Sequence, residues 1–92
     1  MHSHLAKMLG QYILETRTKK RISQKSLASE FEISAQFLGR IEKGDVMIPE
    51  KVLIVAINEL QLSESKLVNI YRAAAGTSIQ ALFKSRKKKK RA

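Results

Sequence analysis

The chain has 92 residues, a formal net charge of +10 and no cysteine. That length suits one compact domain rather than two, and a domain this small buries only about 60–65% of the surface its unfolded form exposes. Without cysteine, neither a disulfide framework nor a thiolate metal site is possible. The opening Met1-His2-Ser3-His4 has no basic segment followed by an apolar core, and the apolar run Val52 to Ile57 is far short of a bilayer span, so the expected location is cytoplasmic.

The charge points to a polyanionic partner, and its distribution is uneven. All eight acidic residues precede Lys84, while Lys84, Arg86, Lys87, Lys88, Lys89, Lys90 and Arg91 place seven positive charges at the C-terminal end. Met1 to Phe83 therefore carries only +3, eleven basic residues against eight acidic.

In chain order, Leu5, Met8, Leu9, Tyr12 and Ile13 form the stripe of a helix with one buried face, from Leu5 to Lys19. Gly10 within it costs about 1 kcal/mol relative to Ala, which signals close packing there. Lys19-Lys20-Arg21 is a basic connection. Ser23 caps a short helix from Gln24 to Phe31, and Ser34 caps another from Ala35 to Lys43 that Gly44 ends. After the loop Asp45 to Ile48, Pro49 opens a fourth helix in its first turn, with Val52, Leu53, Ala56, Ile57 and Leu60 on one side. Ser63 and Glu64 begin a fifth, striped by Leu67, Ile70, Tyr71 and Ala74 and stopped by Gly76. Ile79, Leu82 and Phe83 form a last amphipathic scrap. No strict alternation long enough for a strand occurs, so the fold is all-α with five helices. The expected division is a domain over 1–76, a short amphipathic extension over 77–83 and a disordered basic tail over 84–92.

Gln24 to Glu42 carries the functional signal. Two short helices joined by a tight turn can set the second into the major groove of duplex DNA while the first braces against phosphates. Ala28 supplies the small residue such a crossing needs, and Leu27, Phe31, Ile33, Leu38 and Ile41 face inward. Successive 100° steps from Leu38 put Gln36, Arg40 and Lys43 on the opposite face, with Gly39 beside them and Ala35 near the N-terminal end. Taken alone, that set is equally an ordinary solvated face. As a groove-reading set it is chemically apt: Gln pairs with adenine, Arg with guanine, and Ala can touch a thymine methyl.

From Leu9 to Leu62 the chain resembles the Cro and phage-repressor-like helix-turn-helix proteins, the xenobiotic-response-element (XRE) family. The marks are Arg17, Ile22-Ser23-Gln24, Leu27-Ala28, Ile33-Ser34, the run Phe37 to Gly44, and Pro49 with its amphipathic follower. The resemblance implies a lambda-repressor-like domain in which Gln24 with Lys25, and Ser34, contact phosphates at the ends of the two helices. It implies that Gln36 and Arg40 read base edges with Ala35 as a minor neighbour, and that Lys43 and the Gly44-Asp45 loop approach the far phosphates. Arg17 and Glu42 would form a structural ion pair. Glu32 departs from the family, which usually has Gly at this left-handed turn position.

The resulting expectation is a sequence-specific double-stranded DNA-binding transcriptional regulator, a repressor acting by operator occlusion as a homodimer. Ile54, Val55, Val68, Ile79, Leu82 and Phe83 are candidates for the dimer surface, with Leu67 to Phe83 preferred. The basic tail would add non-specific phosphate contacts. The alternatives are an antitoxin that regulates its own operon in complex with a toxin, and a protein-interaction module that keeps the fold without reading DNA. No nucleophile, base and oxyanion-donor constellation and no glycine-rich phosphate loop appears, so an enzyme is not expected. His2 and His4 lack a third ligand, and no metal or cofactor is expected.

Overall fold

The computed structural model describes residues 4–75, which form five helices and no strand. These are α1 (His4–Lys19), α2 (Gln24–Phe31), α3 (Ala35–Lys43), α4 (Glu50–Leu60) and α5, helical over residues 64–75. The sequence's start and stop signals act as physical chemistry dictates. The Ser23 and Ser34 hydroxyls accept the otherwise unpaired N–H groups of Ser26 and Phe37, each at 3.0 Å, and Ser63 does the same for Lys66 at 3.2 Å. Pro49 stands at the N-cap of α4 with ψ 147°, one residue before the first turn expected for it, and contributes no side-chain cap.

Three of the four connections turn on a left-handed residue that is not glycine: Arg21 (φ 60°), Glu32 (φ 58°) and Gln61 (φ 53°). Only the turn after α3 uses glycine, Gly44 at φ 79°. At Glu32 the backbone N–H returns to helix carbonyls, Ile33 N–H bonds the Ala28 carbonyl at 3.0 Å, and Ile33 packs against the core. This is the glycine-type helix stop, made here by a residue with a Cβ.

The core joins Leu9 and Ile13 of α1, Leu27, Ala28 and Phe31 of α2, and Leu38 and Ile41 of α3 to Ala56 and Leu60 of α4. Fully burying each large aliphatic side chain contributes about 1.5–3 kcal/mol. α1 packs on α3, and α2 packs on both α3 and α4. At Gly10 α1 and α3 meet closely, because a Cβ there would collide with the Ile41 carbonyl oxygen. Ile70 of α5 is buried, and the Tyr12 hydroxyl accepts the Ser63 N–H at 2.8 Å, fixing the start of α5 to α1.

Two side chains sit otherwise than their periodicity implies. Val55, placed by the helical wheel nearly opposite the buried stripe of α4, is half-buried and lines a groove with Phe31 and Ile33. The helix-turn-helix therefore covers α4 from a second side, which a single-stripe reading cannot anticipate. Tyr71, assigned to the buried stripe of α5, is 42% exposed. Only the Leu67, Ile70 and Ala74 edge of α5 turns inward, because α5 meets the body along one narrow line. Gly76, the Ile79, Leu82 and Phe83 scrap, the basic tail and His2 lie outside the described residues. Among the described residues, no helix is long and apolar enough to cross a membrane, and no group of acidic or histidine side chains could hold a metal ion.

Candidate nucleic-acid interface

One buried carboxylate organises the helix-turn-helix. Glu42, near the end of α3, is 6% exposed and accepts three hydrogen bonds from two other elements. Arg17 of α1 donates from Nε at 2.6 Å and from Nη2 at 3.1 Å, and the Gln24 Nε2 of α2 donates at 2.9 Å. Arg17 Nη1 also donates to the Ile22 carbonyl at 2.9 Å, which ties the α1–α2 connection into the same cluster. A buried charge is tolerable only when paired and fully hydrogen-bonded. Both conditions hold, since no buried side-chain polar atom among the described residues lacks a partner. The cluster fixes how α1, α2 and α3 are held together.

The outward face of α3 stands on this frame. Gln36, Arg40 and Lys43 are exposed, and none has a side-chain partner among the described residues. Ala35 and Gly39 are half-buried. Gly39 lies against Gln24, whose Nε2 would be 3.4 Å from a Cβ at that position. The start of α2 thus borders the outward face of α3.

The flanking residues divide by what their polar atoms are already doing. The Gln24 amide gives one N–H to Glu42 and keeps a second. The Ser34 hydroxyl accepts from Phe37 and retains its own proton for donation. Lys25 is exposed at the positive end of α2, a helix with no acidic residue in its first turn. Gly44 is buried, its N–H closes the end of α3, and a Cβ would press on Lys7. Its backbone shapes the loop while Asp45 beyond it is exposed. The role of Gln24 as a strut between α2 and α3 has no signature in spacing, because the two residues it links are eighteen positions apart. The tail lysines and arginines lie outside the described residues.

A helical frame presenting a capped, polar second helix beside a braced first helix is the helix-turn-helix architecture. Residues 13–67 match the helix-turn-helix family HTH_3. The chain belongs to that family, the Cro and phage-repressor-like XRE type, and is thereby a DNA-binding protein of the transcription-regulator class. Among solved structures it is similar to the clp gene regulator ClgR of Corynebacterium glutamicum, at 22% identity over 91% of this chain and 87% of that one, with a TM-score of 0.63. It is also similar to the restriction-modification controller protein C.AhdI of Aeromonas hydrophila, at 24% identity over 67% of this chain and 94% of that one, with a TM-score of 0.60. At such identities the likeness concerns the fold. A comparison with curated proteins finds no match.

Proposed function

We propose that this protein is a sequence-specific transcriptional repressor that binds duplex DNA as a homodimer and acts by occluding its operator. The observation that carries this reading is the exposed and unpartnered set Gln36, Arg40 and Lys43 on one face of α3, held by the Arg17–Glu42–Gln24 cluster. Gln36 and Arg40 are the base-reading residues, each suited to a bidentate pair in the major groove, and Ala35 is their apolar neighbour. Gln24, Lys25, Ser34 and Lys43 hold the phosphates to either side, and Gly44 sets the course of the loop that follows. The tail residues Lys84, Arg86, Lys87, Lys88, Lys89, Lys90 and Arg91 add sequence-independent grip through counterion release.

Two further facts support regulation and dimerisation. The similar solved structures are described as a clp gene regulator and a restriction-modification controller. Ile54 and Val68 are 55% and 42% exposed, and together with Tyr71 they offer apolar area on α4 and α5 for a second copy. In a two-fold dimer the paired half-sites would stand about one helical turn, ~34 Å, apart. Selection from a pool of random duplexes tests the reading. Enrichment of an inverted repeat with that spacing is expected, whereas enrichment of no sequence would overturn it.

A further inference from the structure

The α1–α2 connection carries charge that the fold itself does not use. Between Glu15 and Glu30 there is no carboxylate, yet Arg17, Lys19, Lys20, Arg21 and Lys25 fall there. Arg17 is neutralised by Glu42, and Lys19 in the last turn of α1 complements that helix's negative end. Lys20 and Arg21, just past that end, and Lys25, at the positive end of α2 where a cation is disfavoured, are all exposed and have no side-chain partner among the described residues.

Arg21 bears a conformational cost. Its φ of 60° lies in the left-handed region, which favours glycine over any residue with a Cβ. On that ground glycine would be the better residue here for stability. The turn is also rigid. Lys20 N–H bonds the Thr16 carbonyl and Arg21 N–H the Thr18 carbonyl, each at 3.0 Å, and Ile22 is held to Arg17 at both its N–H and its carbonyl. Two residues further on, Gln24 abuts α3 beside Gly39. The cations therefore stand on a fixed rim next to the outward face of α3, while Glu30 and Glu32 mark the far end of α2 as acidic. A polyanion would be drawn to one end of α2 and repelled from the other.

We propose that Arg21, with Lys20, is a phosphate clamp that grips the DNA backbone beside the major groove entered by α3. It extends the proposed DNA-binding role and rests on that reading. The clamp gives affinity and orientation without sequence information, as phosphate contacts do. The conformational cost of Arg21 in the free protein is offset when a phosphate stands against it.

The full chain with Arg21→Gly gives effects of opposite sign, which separates a clamp from a structural residue. Thermal unfolding is expected at a higher temperature, because relief of the left-handed strain exceeds the loss of one exposed cation at the end of α1. Binding to a selected duplex and to one of arbitrary sequence should weaken by the same factor. The slope of log affinity against log salt should fall by about 0.9 for Arg21→Gly and about 1.8 when Lys20→Ala is added. Between about 50 and 200 mM salt, the single variant should then lose roughly threefold less affinity than wild type does. Arg21→Lys should keep the wild-type slope, and Arg21→Asn, which tolerates the same backbone without glycine's freedom, should lose it as Arg21→Gly does. An unchanged slope, a lowered unfolding temperature, or a loss confined to glycine would each overturn the clamp. Wild-type protein that binds no duplex would overturn the DNA-binding reading, and the clamp with it. Normal wild-type binding with an unchanged variant slope overturns the clamp alone.

Discussion

At Glu42 the consequence of burying a charge is sharpest. Its carboxylate and the Arg17 guanidinium are 4% and 12% exposed, so each is the other's substitute for water. Glu42→Ala leaves Arg17 without its counter-charge and should cost about 3–5 kcal/mol. Replacing both, Arg17→Met with Glu42→Leu, should cost less than the single change, because no uncompensated charge remains. Denaturant midpoints for the two variants check this ordering. Gly10 shows the steric counterpart. A methyl group there would strike the Ile41 carbonyl oxygen, which is backbone and cannot swing aside. Gly10→Ala should lose about 2 kcal/mol net, since overpacking outweighs the ~1 kcal/mol that alanine gains in helix propensity. Glu32→Gly should go the other way. Relief of the left-handed strain, about 1–2 kcal/mol, exceeds the extra freedom glycine gives the unfolded chain, so the unfolding temperature should rise.

The elements were legible in the sequence to differing degrees, for identifiable reasons. α2 and α3 could be bounded because Ser23, Ser34 and Gly44 are local signals whose effect depends on the backbone they terminate. The inward set Leu27, Phe31, Leu38 and Ile41 followed from a 3.6-residue period, and all four are buried. Val55 and Tyr71 were misplaced because a period says which residues share a face, not how many neighbours cover it. The left-handed turn at Glu32 was legible only through family resemblance, and the bond from Gln24 to Glu42 not at all, being a tertiary contact between two helices. The rise along α3 makes a prediction about its ligand. Gln36 and Arg40 stand four residues apart, roughly 6 Å along the axis. With base pairs about 3.4 Å apart, the half-site should hold an A·T and a G·C pair about two steps from each other. Changing either pair should cost ~1–3 kcal/mol of affinity, measurable by competition, while the truncation Gln36→Ala should abolish the preference at the adenine alone.

Across the whole molecule, the proposed function assigns address and grip to different parts of the chain. The charge of the sequence up to Phe83 is only +3, so most of the excess lies in the last residues. In that proposal specificity comes from α3, whose outward side chains face no partner among the described residues, and sequence-independent attraction comes from the tail and the rim of α2. The most direct measurement of this division compares full-length protein, Arg40→Ala and a chain ending at Phe83 on a selected duplex and on its scrambled counterpart. The account predicts that Arg40→Ala loses ~1–3 kcal/mol on the selected duplex and almost nothing on the scrambled one, while tail removal weakens both alike and flattens the salt dependence. Equal loss on both duplexes for Arg40→Ala, or no loss on either, would contradict it.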